Sequence, residues 1–320
     1  MTEPIRWGIL GAAKFAREHM GPAIHSAENA VLAAVGSRSP EKAEAFSALA
    51  PGLRVHGDYD ALLADPEIDA VYVPLPNHLH VEWTKKALKA GKHVLCEKPV
   101  AMQADEIDDL IAARDANGLL AAEGFMIVHH PQWQRARTLL TEGAIGELLH
   151  VDVAFSFNNP DLDNIRNKPG TGGGALRDIG VYAFGAVRYA TGAEPSDLTA
   201  RIDWDNGIDS FALVTADFPG FTYNAYVGMR MAPRQHVSFH GTDGVLTVPV
   251  PFNANVFGEA QVVTQRGMET HAERFPGVNH YRLQVENFGR AIRGEIQYPC
   301  PLEFSRGTQA MMDRVYAAAG

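Results

Sequence analysis

The chain has 320 residues, enough for two domains, and its 46% hydrophobic and 21% charged residues are ordinary for a globular protein. A formal net charge of −10 argues against a nucleic-acid surface, and no apolar run approaches the length of a membrane span. Cys96 and Cys300 make no disulfide framework and suit a reducing compartment; the first residues lack a basic stretch followed by an apolar core, so the expected location is the cytoplasm.

The elements predicted for residues 1–124 alternate strand and helix. "IRWGILGAA" opens with a short buried strand, Ile5 to Leu10, and an amphipathic stretch runs on to about His25. "AVLAAVGSR" is a second strand, and "SPEKAEAFSAL" a helix with Ser39 at the N-cap, Pro40 at its first position and Glu41 in its first turn. "DAVYVPLP" and "KHVLCEKP" are strands; "HVEWTKKALKAG" and "DEIDDLIAARDANG" are helices stopped by Gly91 and Gly118; "LLAAEGFM" is a last strand. Such alternation builds a parallel, doubly wound sheet, an α/β dinucleotide-binding domain.

The first strand–helix turn is Gly11-Ala12-Ala13-Lys14-Phe15-Ala16, a G-x-G-x-x-G/A fingerprint with alanine at the second glycine. Gly11 permits the tight turn, the small Ala12 and Ala13 leave room for a pyrophosphate, and the helix start offers N–H groups to it, with Phe15 alongside. An NAD site would place an acid at the end of the second strand to hold the ribose hydroxyls. This chain has Ser37-Arg38 there, with Lys42 one turn into the next helix, a set that suits a 2′-phosphate. NADP(H) is therefore expected over NAD(H).

Two later strand ends face the same edge. Leu75, Pro76, Asn77 and His80 in "PLPNHLH", and Glu97 and Lys98 in "CEKP", are expected at the cofactor crevice. Pro99 keeps Lys98 out of the α region and makes the Lys98–Pro99 bond a candidate for cis. His78 and His80 have no further ligands at metal-binding spacing, and no metal is expected.

Residues 125–320 read as a second domain rich in strands. "ELLHVDVAFSF", "DLTARIDW", "SFALVTADF", "FTYNAYVGM", "QHVSFHG", "GVLTVPV", "AQVVTQ" and "THAERF" are broken by turn glycines, as in hairpins. The helices "HYRLQVENFGRAIRG" and "SRGTQAMMDRVYAAA" close the chain, and the last of them is a candidate to pack back on the first domain. Within this half, "GGGALRDIGVYAFGAVRYATG" puts a carboxylate, Asp178, and a phenol, Tyr182, four residues apart on an apolar helix.

Taken together, "WGILGAAKFA", "PLPNHLH", "GKHVLCEKPVA", "EGFMIVHHPQW", "GAIGELLHVDVAFSF", "GGGALRDIGVYAFG" and "NHYRLQVENFGRAIRGE" resemble the Gfo/Idh/MocA oxidoreductases over nearly the whole chain. The nearest likeness is to the branch with NADP-dependent D-xylose dehydrogenases and dimeric dihydrodiol dehydrogenases, which has tyrosine where inositol dehydrogenases carry histidine. The resemblance implies a Rossmann domain followed by an α/β domain with a large, mostly antiparallel open sheet, often used for dimerisation. It implies Tyr182 as general acid/base with Lys98 as its electrostatic partner, since a nearby ammonium draws a phenol's pKa down from about 10 toward the useful range. Asp178 would bind a neighbouring hydroxyl or orient the tyrosine. Asn158 and Arg166, in a polar loop before the glycines, are candidates for substrate hydroxyls, while His129, His130 and Trp133 read equally as packing. Val128 stands where arginine is common, and Arg177 where an apolar residue is.

The leading expectation is an NADP(H)-dependent oxidoreductase acting on a sugar, polyol or related carbohydrate-like small molecule, assembled as a homodimer or higher homo-oligomer. The alternatives are a redox-neutral NAD-dependent glycosidase on the same fold and a non-catalytic NADP(H)-sensing regulator. Ser37-Arg38 speaks against the first, and the retained Lys98, Asp178 and Tyr182 against the second.

Overall fold

The alternation expected at the start of the chain is present in the computed structural model, which describes residues 3–320. Strands β1 (Ile5–Leu10), β2 (Ala30–Gly36), β3 (Arg54–His56), β4 (Ala70–Val73), β5 (His93–Cys96) and β6 (Ala121–Glu123) form one sheet in the order β3-β2-β1-β4-β5-β6. Every pairing in it is parallel. The order reverses between β1 and β4, which is where an open α/β sheet leaves a crevice beyond its strand ends. Helices α1 (Gly21–Ser26), α2 (Pro40–Glu44), α3 (Tyr59–Leu63), α4 (His80–Lys89) and α5 (Ala104–Asn117) lie between the strands.

Strand and helix side chains share one core in this sheet. Leu10, Val71, Val73, Val94 and Cys96 are fully buried against Leu88 of α4 and Leu110 of α5. Burying each such side chain contributes about 1.5–3 kcal/mol. Gly118 stops α5 in the left-handed conformation, φ +62°, as its sequence position suggested. Ser39 caps α2, its hydroxyl accepting the Lys42 N–H at 3.5 Å, but the helix ends at Glu44 rather than running on to Leu49. The sequence reading missed β3 and α3: the one is three residues long and the other five, too short for a period to emerge.

The remaining helices and strands are α6 (Pro131–Thr141), β7 (Leu148–Asn158), α7 (Val181–Thr191), β8 (Asp197–Asp205), β9 (Ile208–Phe218), β10 (Phe221–Gly228), β11 (Arg230–Gly241), β12 (Val245–Val248), β13 (Gln261–Arg266), β14 (Glu269–Arg274), α8 (His280–Ile292) and α9 (Leu302–Ala319). Each of the eight strand segments expected in this half overlaps one strand, with ends that differ by up to two residues except at the start of β11, which begins earlier. They build a second sheet, β14-β13-β12-β11-β7-β10-β9-β8, antiparallel except between β7 and β10. In β9 the alternation is plain: Ala212, Val214 and Ala216 are buried, while Leu213, Thr215 and Asp217 are exposed.

The chain divides into two compact units, residues 1–126 with 279–306, and residues 127–278 with 307–320. The expected division fell at 124, with the last helix as the one candidate to return to the first domain; instead α8 groups with the first unit, while α9 from Gly307 on groups with the second. Phe288 of α8 meets Trp7 of β1 with ring centroids 5.2 Å apart, and Val285 beside it is buried. No local pattern in the sequence announces that return, because the partners are separated by most of the chain.

Candidate active site

In the first unit, Gly11 has φ +117°, a conformation L side chains rarely adopt, and its N–H donates to the Gly36 carbonyl at 2.9 Å. A methyl at this position would come 3.0 Å from the Leu75 Cδ2. Ala12 and Ala13 follow, half-buried and small, and the helical run begins at Lys14, so the N–H groups of its first turn have no intrahelical acceptor. A π turn over Ala16–Met20 joins this start to α1. Phe15 packs edge-on to Tyr281 with centroids 5.5 Å apart. This geometry fits a dinucleotide pyrophosphate.

At the end of β2, Arg38 and Lys42 are exposed and neither makes an ion pair among the described residues. Ser37, expected to donate to the same phosphate, is buried instead. Its hydroxyl donates to the Ser39 carbonyl and accepts the Ser39 N–H, both at 3.1 Å, so it shapes the turn that carries Arg38.

Lys98, half-buried, follows β5, and its bond to Pro99 is cis. Three neighbours buttress this turn. Tyr72 of β4 donates to Glu97 Oε1 at 2.6 Å, and the Glu123 carboxylate of β6 accepts the Val100 N–H at 2.9 Å. His80, expected against the nucleotide, has no exposed surface. Its Nδ1 and Nε2 lie 2.7 Å from the carbonyls of Pro99 and Leu75, so it ties the two loops together. Burial pushes its pKa down to about 4, while the two carbonyls pull the other way. Leu75 is buried under this tie, and Pro76 and Asn77 are half-buried beside it.

In the second unit, the glycine-rich run ends in Gly174, φ +126°, and the chain enters a π-helical turn over Leu176–Gly180 before α7. The Val181 N–H donates to the Leu176 carbonyl, five residues back, so Asp178 and Tyr182 are separated by a widened turn rather than a plain α-helical one. Tyr182 is 7% exposed, its ring packed beside the stacked pair Phe155 of β7 and Phe252, at 5.8 Å and 5.6 Å. Asp178 accepts a hydrogen bond from Arg166 Nε at 2.8 Å, and its side chain is only 13% exposed. Asp178 and Arg166, expected separately as site residues, are thus joined in one ion pair. Asn158 stands exposed at the end of β7, opposite Arg230.

His129, His130 and Trp133 are packing: all three are buried, Trp133 Nε1 donates to the Pro251 carbonyl at 2.7 Å, and His130 caps α6 through Nδ1. Val128 is fully buried among them. Sequence reading missed Tyr72 and Glu123 as supports of the Lys98 turn, and Asp209 and Tyr316 beside the glycine turn. The signal for Asp209 was a charged residue inside the otherwise apolar strand "IDSFALV", whose carboxyl burial pushes up to about 6.

A doubly wound sheet with a glycine turn after its first strand, joined in one chain to a large mostly antiparallel sheet, marks a dinucleotide-dependent oxidoreductase. Residues 5–125 match the oxidoreductase family with NAD-binding Rossmann fold, and residues 133–247 match the GFO/IDH/MocA C-terminal domain. The chain belongs to the Gfo/Idh/MocA oxidoreductase family, and the protein is an oxidoreductase with an NAD(P)-binding domain. It is 38% identical to the Rhizobium meliloti protein named "Uncharacterized oxidoreductase ORF334", over 98% of this chain and 97% of that one. It is 32% identical to D-xylose 1-dehydrogenase (NADP(+)) 2 of Haloferax volcanii, over 98% and 97%. The crystal structure of a 3-ketoreductase from Actinomadura kijaniata in complex with NADP and TDP-benzene is similar with a TM-score of 0.90 at 31% identity, covering 99% of this chain and 98% of that one. Among the described residues no helix is long and apolar enough to cross a membrane.

Proposed function

We propose that the protein transfers hydride between NADP(H) and a sugar, polyol or related hydroxy/carbonyl compound, with Tyr182 as general acid/base and Lys98 as its electrostatic partner. The observation that carries this reading is the second unit's helix start: a phenol held by Phe155 and Phe252, one widened turn from the ion-paired Asp178. A merely structural tyrosine needs no such carboxylate beside it. When bound, the nicotinamide supplies the hydride acceptor or donor. Tyr182 takes the hydroxyl proton in oxidation and returns it to the carbonyl oxygen in reduction; the Lys98 ammonium favours the phenolate. Asp178, oriented by Arg166, holds a neighbouring substrate hydroxyl, with Asn158 as a second contact.

The relatives support the substrate class: one is named as a D-xylose dehydrogenase, and another binds a TDP derivative with NADP. Two further structures of that ketoreductase carry a tyrosine-to-phenylalanine and a lysine-to-alanine substitution. The two changed residues are separated by the same number of positions as Tyr182 and Lys98 in this chain. NADP(H) is favoured over NAD(H) by the exposed, unpaired Arg38 and Lys42 and by the absence of an acid at the end of β2. The cofactor contacts we assign are Gly11, Ala12, Ala13, Phe15, Arg38, Lys42, Pro76, Asn77 and Lys98.

A homodimer through the second sheet is part of the same reading. Its support is a face where exposed Leu213 pairs across strands with Tyr226, whose ring lies 6.2 Å from that of Phe211. Sedimentation at micromolar concentration tests it, and a monomer there would contradict it. The activity is tested by incubating the protein with NADP⁺ and a panel of aldoses including D-xylose, and following the absorbance of the reduced nicotinamide. Turnover with at least one sugar is expected; no cofactor reduction with any of them, nor oxidation with the corresponding carbonyl compounds, would refute it.

A further inference from the structure

We propose that Asp209, near the start of β9, is a positioning residue for this chemistry: together with Tyr316 of α9 it clamps the glycine turn and helix start that carry Asp178 and Tyr182. The catalytic consequence rests on the function proposed above, but the clamp stands on its own geometry. Asp209 is 1% exposed. Its Oδ2 accepts the Leu176 N–H at 2.6 Å, and its Oδ1 accepts the Tyr316 hydroxyl at 2.8 Å. Leu176 is the first residue of the π-helical turn, so the carboxylate takes up an N–H that the helix leaves without an acceptor.

The same carboxylate explains a glycine. A Cβ at Gly174 would stand 2.0 Å from Asp209 Oδ1, and φ there is +126°. Gly174 in turn gives its carbonyl to the Asp178 N–H at 3.1 Å. One buried carboxylate therefore bonds the chain at Leu176, two residues before Asp178, and stands against it at Gly174. Arg177 is a cation that acts on this carboxyl: its guanidinium lies 5.2 Å from the Tyr316 ring centroid, and its buried Nε makes no hydrogen bond among the described residues. This gives the arginine that departs from the family pattern a place, as the positive charge facing Asp209 and Tyr316.

The groups facing the Asp209 carboxyl are Tyr316 from α9, Arg177 from the turn and the Leu176 N–H, and Asp313 stands near Tyr316. Burial raises the carboxyl to about 6, with the Leu176 N–H, the Tyr316 hydroxyl and Arg177 opposing the rise. The ionised form accepts from both donors at once. Protonation removes the charge that both donors prefer, so the clamp loosens as pH falls through about 6.

The test measures kcat and KM from pH 5 to 8 with NADP⁺ and the best aldose of the panel, for the wild type and Asp209→Asn. It adds NADPH titration and hydrogen exchange of the segment from Gly174 to Tyr182, without substrate. Asp209→Asn should lower kcat roughly 10-fold at pH 7.5 with cofactor affinity unchanged, erase the acid limb near pH 6, and speed exchange in that segment. Should Asp209→Asn fold poorly, Tyr316→Phe keeps the ring under Arg177 and removes one donor to the carboxylate, so the acid limb should move to higher pH. An unmoved limb, or a lowered melting temperature with kcat and its pH profile intact, would overturn the proposal. Unchanged exchange in Asp209→Asn would overturn the clamp itself, whatever Tyr182→Phe does to turnover.

Discussion

Arg166 donates from Nε to the Asp178 carboxylate at 2.8 Å, and the arginine is itself 42% exposed while the carboxylate is nearly covered. The pair sets Asp178's orientation beside Tyr182 rather than stabilising the fold, because an ion pair with one open partner is worth little to stability. Arg166→Ala should therefore leave the melting temperature within a few degrees of wild type. It should lower kcat/KM about 10–100-fold through loss of a hydrogen bond to a charged group. Steady-state kinetics beside NADPH titration measures this, with cofactor affinity expected to stay constant.

The proposed cofactor choice rests on the turn after β2. Arg38→Asp replaces the exposed cation by the acid that ribose hydroxyls prefer and also repels a 2′-phosphate. The proposed preference for NADP(H) should reverse to NAD(H). Fluorescence titration with both cofactors gives the ratio; equal affinities in the wild type would contradict the assignment of Arg38.

Acid stability follows from the buried histidines of the second unit. Burial holds His129 down to about 3 and His130 down to about 4, below the ordinary 6.5. Between pH 6.5 and 4 the folded state thus binds fewer protons than the unfolded chain. Their stabilisation is full above about 6.5 and is lost as pH falls toward the folded values. Asp209 opposes them, since a carboxyl raised to about 6 loses stabilisation as pH rises through that value. The two histidines outweigh it. His130→Asn keeps a side-chain acceptor at the start of α6 and removes one titration. Urea unfolding at pH 7 and pH 5 should show a smaller loss of stability for His130→Asn, with each histidine contributing up to about 1.4 kcal/mol per pH unit.

Much of this was legible in the sequence because the signals were local. The strand–turn–helix at Gly11, the stop at Gly118 and the eight strands of the second sheet each follow from a few neighbouring residues. Lys98, Asp178 and Tyr182 stood out because polar groups at a strand end or on an apolar helix need a reason. What stayed hidden depends on partners far away in the chain. The burial of Ser37 and His80 comes from backbone carbonyls folding over them, so residue type alone suggested ligand contacts that their geometry does not offer. The π turn between Asp178 and Tyr182 has no sequence signature, and α8 joins the first unit through partners as distant as Trp7 for Phe288 and Phe15 for Tyr281.

The most direct test of the account is the turnover of Tyr182→Phe, measured as NADP⁺ reduction with the best aldose, alongside Lys98→Met and the double variant. The ring keeps its packing against Phe155 and Phe252, so only the hydroxyl is lost. A fall in kcat of about 10²–10⁴ is expected, with NADPH affinity preserved. The double variant should lose less than the two single losses multiplied, because residues acting as a unit are non-additive. Near-normal turnover in Tyr182→Phe would contradict the assignment and leave the tyrosine a packing residue.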